Sequence, residues 1–159
     1  RKRSLCSRER KYRNMEKILK VQVDAALENL SLVRGIAAAY ASELDPTVEE
    51  LTEVRTAVSE AFSNAVIHGY EGQLHGKVDL EFALLSPDTL MIKVIDKGVG
   101  IENIARAMEP LFTTDTGEER SGMGFTVMES FMDKIKVDSD VGVGTTVTMI
   151  KKIDTYDGI

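Results

Sequence analysis

Two short glycine-rich segments constrain this chain more than any other feature. The first is Asp96-x-Gly98-x-Gly100, where a carboxylate ends an apolar run, and the second is Gly122-x-Gly124, about twenty residues later. Glycine lets a backbone turn sharply and lets a ligand approach it closely. The second pair leads straight into a helix-like segment, and a helix N-terminus attracts anions. Together the two segments predict a nucleotide pocket.

The hydrophobic pattern predicts the order β-α-α-β-β-loop-α-β-β. We expect strands at 18–23, 77–85, 90–96, 134–138 and 145–151, and helices at 26–44, 48–68 and 122–132. Gly69 is expected to end the second helix. Paired neighbouring strands with helices on one side indicate an α+β fold, a two-layer α/β sandwich with a mixed, mostly antiparallel sheet. Residues 97–121, with a short helical piece near 102–108, form a long connection that suits a lid over a ligand.

Composition narrows the class of protein. A chain of 159 residues is expected to form one domain, and no apolar run reaches the ~18 residues of a membrane span. A single cysteine, Cys6, cannot form an internal disulfide, so we expect a cytoplasmic protein with no membrane partner. Residues 1–14 are strongly basic and are expected to be a flexible tail, with a nucleic-acid or membrane arm as the alternative, and 154–159 a C-terminal tail. Because the net charge is −6 despite that tail, no direct nucleic-acid partner is expected.

A polar stripe is predicted on the second helix. Glu60, Asn64 and His68 are four residues apart, so each lies ~40° round the helix from the last. An amide oxygen can ligate Mg²⁺, and a carboxylate one turn away can accept a proton. Alone, this spacing is typical of a solvated face, and it becomes informative only beside the glycine pairs. Neither a P-loop nor a dinucleotide-binding fold fits the positions of those glycines.

Three motifs follow one another in order: Glu60-x-x-x-Asn64, Asp96-x-Gly98-x-Gly100 and Gly122-x-Gly124. This order resembles the GHKL (Bergerat) ATP-binding fold, which includes gyrase B, MutL and histidine-kinase catalytic domains. Longer segments narrow the resemblance, namely 44–47, 59–71, 110–114 and 119–125. They look like the anti-sigma F family of spore-forming bacteria over roughly residues 15–152. The resemblance implies a GHKL kinase domain at 15–153 with an ATP lid at about 101–121.

The resemblance implies Mg²⁺ and ATP as cofactors and a serine kinase activity. Glu60 would be the general base, Asn64 the Mg²⁺ ligand and Asp96 the acceptor for the adenine amino group. We expect Arg120 to contact the γ-phosphate or stabilise the transferring charge. The other nucleotide-binding residues that the resemblance implies are Gly98, Gly100, Thr113, Thr114, Ser121, Gly122, Met123, Gly124, Phe125, Thr145 and Thr146.

The resemblance also implies two protein partners. A serine of an anti-anti-sigma protein would accept the phosphate, and an ATP-bound homodimer would bind and inhibit a sporulation sigma factor. Arg34 interrupts the apolar pattern of the first helix and is expected to contact a partner. A general-stress anti-sigma serine kinase, a histidine-kinase-type catalytic domain and a non-catalytic binding module remain alternatives. The motifs favour the sporulation family, and the presence of both Glu60 and Asn64 argues against the last alternative.

Overall fold

Five strands form one sheet in the computed structural model, which describes residues 17–73, 75–110 and 124–154. The strands are β1 (Ile18–Asp24), β2 (Lys77–Ser86), β3 (Thr89–Asp96), β4 (Lys134–Asp140) and β5 (Gly144–Lys152). Their spatial order is β1-β2-β3-β5-β4, and all four pairings are antiparallel. The predicted positions of all five strands are confirmed to within two residues at either end.

A mixed sheet was expected, and this is wrong for the described strands, because none of their pairings is parallel. β3 and β4 run in the same direction and would pair in parallel if they were neighbours. β5 lies between them, however, and pairs antiparallel with both. The β4–β5 hairpin is therefore added to β3 through its second strand and not through its first.

The helices are α1 (Leu30–Ala41), α2 (Val48–Asn64), α3 (Ile104–Ala107) and α4 (Gly124–Phe131). Short 3₁₀ turns, Leu27–Asn29 and Ser42–Leu44, flank α1, so the predicted helix 26–44 is divided into three pieces. A capping box starts α2, because Thr47 and Glu50 each accept a hydrogen bond from the other's backbone N–H. Such reciprocal capping satisfies two N–H groups that the first turn would otherwise leave unpaired.

A π-helical turn, Ala65–Gly69, continues α2 beyond Asn64. The prediction of one regular helix over 48–68 is therefore wrong in its last turn, where the hydrogen bonds skip one more residue than in an α-helix. Single π turns inside α-helices are frequent at functional sites. Here the turn changes the direction of Gly69 relative to the polar residues of α2.

The core lies between the helices and one face of the sheet. Every second residue of β3 is buried, and the buried strand and helix side chains belong to one apolar cluster. Its largest fully buried members include Phe62, Phe82, Leu80, Ile92, Met128 and Met149. This arrangement confirms a two-layer α+β sandwich. Within the described residues, no helix combines the length and apolarity needed to cross a bilayer.

A partly buried lysine fixes α4 against α2 and the sheet. The ammonium group of Lys151 on β5 is 2.6 Å from Glu53 Oε2 on α2 and donates to the carbonyl oxygen of Phe131, 2.9 Å away, at the end of α4. A cation at a helix C-terminus also interacts favourably with the helix dipole. Lys151 thus holds the end of α4 that is opposite to its glycine start.

Candidate active site

A buried carboxylate stands at the end of β3. Asp96 is only 7% exposed, and its Oδ1 accepts a hydrogen bond of 2.9 Å from the Gly98 N–H. Burial raises the pKa of Asp96, and the backbone N–H groups of Gly98 and Thr145 partly oppose that shift. Its described partners are backbone donors, so the carboxylate keeps acceptor capacity for a ligand's amino group.

Glycine backbone surrounds this carboxylate. A Cβ at Gly69 would lie 2.8 Å from Asp96 Oδ1, and a Cβ at Gly98 would lie 1.9 Å from the carbonyl oxygen of Gly69. That same carbonyl accepts a 2.8 Å hydrogen bond from the Val99 N–H. The π turn therefore places Gly69 against the Asp96 loop, and a side chain at Gly69 or Gly98 would clash with the neighbouring segment. The sequence predicted only that Gly69 ends a helix, although its position after the Glu60–Asn64 segment was a signal of this further role.

Gly100 serves the loop in a different way. Its φ of +77° is in the left-handed region, and a Cβ there would lie 2.3 Å from the carbonyl oxygen of Asp140. The Val99 carbonyl accepts a 2.8 Å hydrogen bond from the Gly142 N–H. Gly100 thus lets the Asp96 loop pack on the β4–β5 turn, and its predicted role in nucleotide binding would be indirect.

The two predicted threonines lie on opposite faces of the sheet. Thr145 is opposite Asp96 across the β3–β5 pairing and is 7% exposed, whereas Thr146 is opposite Ile95. Successive residues of a strand point to opposite faces. Thr145 therefore shares the face of Asp96, and Thr146 does not.

A second group of polar side chains gathers at the start of α4. A Cβ at Gly124 would lie 3.1 Å from Asn64 Nδ2 and 3.3 Å from Glu60 Oε2. Gly124, the second glycine of that pair, is thus brought directly against the polar turn of α2. Burial raises the pKa of Glu60. His68 is exposed and lies in the π turn, so the predicted stripe is not continued in a regular helix beyond Asn64.

Tyr70 is a further residue that the sequence did not single out. Its hydroxyl accepts a 2.8 Å hydrogen bond from the Lys97 N–H and donates to the Lys77 carbonyl. A Cβ at Gly76 would lie 2.5 Å from the tyrosine ring. Tyr70 therefore fastens the backbone after Asp96 to the start of β2.

Other residues that were predicted to bind the nucleotide or a partner do not belong to the two groups described above. Phe125, on the first turn of α4, packs against the core cluster, so only its backbone N–H could face a ligand. Arg34 is exposed on α1. Other predicted contacts lie outside the described residues, namely Thr113, Thr114, Arg120, Ser121, Gly122 and Met123.

The site therefore has two ends joined by one segment. At one end, a buried acceptor lies beside closely packed glycine backbone, and such an acceptor suits a base with an amino group. At the other end, a carboxylate, an amide and a helix start suit phosphate groups and a cation. The segment from Glu60 to Gly69 connects the two ends.

Comparison with known proteins agrees with this geometry. The histidine kinase-like ATPase domain family matches residues 23–151 of the chain. An anti-sigma F factor from Clostridium acetobutylicum is 53% identical over 138 residues, which cover 87% of this chain and 95% of that protein. An anti-sigma F factor from Caldanaerobacter subterraneus is 46% identical over 142 residues, which cover 89% of this chain and 96% of that protein.

Solved structures share the fold at lower identity. The RsbU and RsbW domains of a Mycobacterium tuberculosis protein superpose with a TM-score of 0.61 at 22% identity, over 86% of this chain and 32% of that one. The mycobacterial sensor histidine kinase MprB superposes with a TM-score of 0.55 at 16% identity, over 85% of this chain and 98% of that one. The family match and the fold together define a histidine kinase-like ATPase domain of the GHKL type, a class that binds ATP. Within that class, the chain belongs to the anti-sigma F factor family, which confirms the resemblance seen in the sequence.

Proposed function

We propose that this protein is an ATP-dependent serine kinase and an anti-sigma factor. It transfers the γ-phosphoryl group of Mg²⁺-ATP to a serine of an anti-anti-sigma protein, and it binds and inhibits a sporulation sigma factor. The observation that carries the kinase proposal is the meeting of Glu60, Asn64 and Gly124 at the start of α4. The sigma-factor proposal is supported by the relatives named anti-sigma F factors.

ATP would lie along the segment from Gly69 to Glu60. Asp96, which lies against the backbone of Gly69 and Gly98, would accept a hydrogen bond from the adenine amino group. Backbone N–H groups at the start of α4 would face the phosphates, since a helix N-terminus favours negative charge. Arg120 is proposed to contact the γ-phosphate.

The residues at the phosphate end fit a magnesium ion shared with ATP. The Asn64 side chain borders the space that a Cβ at Gly124 would fill, and its amide oxygen is a ligand of the type that Mg²⁺ accepts. Among the described residues, no cluster of three or more acidic, histidine or cysteine side chains could hold a metal. Mg²⁺ usually keeps phosphate oxygens and waters as ligands, so it needs few ligands from the protein. When bound, the ion would neutralise charge on the phosphates.

Glu60 would act as the general base. Burial raises its pKa, which strengthens the carboxylate as a proton acceptor. In a direct in-line transfer, the serine oxygen forms a bond to the γ-phosphorus as the bond to the β,γ-bridging oxygen breaks. The serine proton passes to Glu60, and ADP leaves with the electron pair of the broken bond.

Replacing Glu60 by glutamine tests the transfer step. We expect Glu60→Gln to retain ATP affinity and to lose phosphotransfer by about 10²- to 10⁴-fold, the usual contribution of a general base. The assay incubates the protein with labelled ATP and purified anti-anti-sigma acceptors, and then determines the labelled residue. Glu49→Gln, an exposed position near the start of the same helix, is the matched control and should behave like wild type.

The identity of the labelled residue separates the alternatives. Acid-stable label on serine supports the proposal, whereas acid-labile label on histidine would indicate a histidine kinase. Absence of label with retained sigma-factor binding would indicate a non-catalytic module. A Glu60→Gln variant that phosphorylates serine at the wild-type rate would overturn the assignment of the base.

Partner binding would use a different surface from the nucleotide site. Arg34 is exposed on α1 and is proposed to contact an acidic group of a partner. We also propose a cytoplasmic homodimer as the form that binds the sigma factor. A general-stress sigma factor is the alternative partner, and the relatives named above favour the sporulation family.

A further inference from the structure

One serine outside every motif of the chain joins three segments around the base end of the site. Ser139 Oγ on β4 lies 2.8 Å from the Ile101 nitrogen, 3.0 Å from the Gly144 carbonyl oxygen and 2.7 Å from Thr145 Oγ1. Ser139 is opposite Thr145 across one strand pairing, and Thr145 is opposite Asp96 across the next. The three side chains therefore form one row on a single face of the sheet.

The direction of each hydrogen bond in this network follows from which groups can donate and which can only accept. A serine hydroxyl has one hydrogen and two lone pairs. The Ile101 N–H must donate, and the Gly144 carbonyl must accept, so Ser139 accepts from the first and donates to the second. The remaining lone pair of Ser139 then accepts from the Thr145 hydroxyl, which satisfies all three contacts. Thr145 thus directs its only hydrogen at Ser139 and keeps its own lone pairs for other donors.

We propose that Ser139 is a positioning residue that sets the base specificity of the site. It holds the Thr145 hydroxyl as an acceptor beside the Asp96 carboxylate, so that two acceptors face the edge of the base. An adenine 6-amino group donates to such acceptors, whereas a 6-oxo group is itself an acceptor and is disfavoured. This inference rests on the proposed ATP site and names what distinguishes adenine within it.

Replacing Ser139 by alanine tests the inference. Without Ser139, the Thr145 hydroxyl can rotate and donate to a 6-oxo group. We expect the ratio of the Kd for inosine triphosphate to the Kd for ATP to fall about 3- to 10-fold, the effect of roughly one hydrogen bond. The measurement is calorimetric titration of the full chain with each nucleotide and Mg²⁺. Ser139→Thr retains the hydroxyl and should restore the ratio.

A second variant and a control keep the test decisive. Thr145→Val removes the same acceptor and should also lower the ratio, so it replaces Ser139→Ala if that variant fails to fold. Ser86→Ala deletes a hydroxyl that bonds to Asp88 at the opposite end of β3, and it should change neither affinity.

Two results would overturn the role of Ser139. Equal weakening of both nucleotides would indicate a purely structural serine, and an unchanged ratio in a folded Ser139→Ala protein would remove any effect on specificity. Failure of the proposed function is distinguishable from either result, because the wild-type protein would then bind neither nucleotide. That outcome would overturn the ATP site and the inference together.

Discussion

The close approach of Gly124 to α2 makes Gly124→Ala a sharp test of the proposed phosphate end of the site. The new methyl carbon would lie 3.1 Å from Asn64 Nδ2 and 3.3 Å from Glu60 Oε2. These atoms are the ends of side chains and not backbone, so they can move by a few tenths of an ångström. The substitution therefore displaces the proposed Mg²⁺ ligand and base without opposing the fold.

Two small terms decide the effect on stability. Alanine is favoured over glycine in a helix by up to about 1 kcal/mol, although less at the first helical residue. Moving two side chains off their preferred rotamers costs about 0.5–1.5 kcal/mol each. We expect the free energy of unfolding without nucleotide to fall by no more than about 3 kcal/mol. Phosphotransfer should fall at least roughly tenfold, because a 1 Å misplacement of reacting groups can cost about 10²-fold.

Urea unfolding and the serine-labelling assay measure the two effects separately. Gly35→Ala is the matched control, since Gly35 lies in α1 and a Cβ there would meet nothing within 4 Å. This control should gain up to about 1 kcal/mol from helix propensity and retain wild-type ATP affinity. If Gly124→Ala transfers phosphate at the wild-type rate, α4 does not present the reacting groups to Glu60 and Asn64. A destabilisation of several kcal/mol would instead show that the contact cannot relax.

Three other predictions address charge. Burial raises the pKa of Asp96 in the folded state above its ordinary value of 3.8. The folded state therefore loses stability as the pH rises from 3.8 through this raised pKa, because the buried carboxyl must ionise. Asp96→Asn has no carboxyl to ionise and should be at least as stable as wild type at pH 7; lower stability in thermal unfolding would contradict this. Its ATP affinity should fall more than tenfold, roughly the loss of a charged hydrogen bond. As the pH is lowered, the rate of phosphotransfer should fall with an inflection above 4.5, the ordinary pKa of a glutamate, because Glu60 must be ionised and burial raises its pKa; an inflection at or below 4.5 would oppose its role as base. Arg34→Ala should weaken sigma-factor binding about tenfold in a pull-down titration and leave ATP affinity intact, as expected for one interface arginine; a large ATP defect would refute the partner role.

The regular parts of the fold could be predicted from hydrophobic periodicity, and the irregular parts could not. Alternating burial along β3 and the 3.6-residue pattern of α2 are local consequences of which side chains must be buried. The π turn Ala65–Gly69 leaves no mark in that pattern, because its apolar residues suit an α-helix equally well. The insertion of β5 between β3 and β4 depends on long-range pairing that the order of elements does not fix.

Some residues of the candidate site could likewise be predicted from the sequence, and others could not. Glu60, Asn64 and Asp96 were predicted because carboxylate and amide side chains carry recognisable chemistry at recognisable spacing. Gly69 and Tyr70 were not, since their contribution is a backbone position and a hydrogen bond to a distant backbone group. Such roles become visible only when the close approach of two segments is known.

The π turn gives the site a property that a regular helix would not. Glu60 and Asn64 face the start of α4, while Gly69, on the same continuous segment, packs against the Asp96 side chain, and its carbonyl accepts a hydrogen bond from the Val99 N–H. The residues proposed for base binding and for phosphate chemistry therefore belong to one continuous helical element and not to two separate loops. A packed segment of this kind transmits a displacement at one end to the other. A nucleotide that fits poorly against Gly69 is therefore expected to misplace the groups around Glu60 as well, so that recognition of the base contributes to transfer and not to affinity alone.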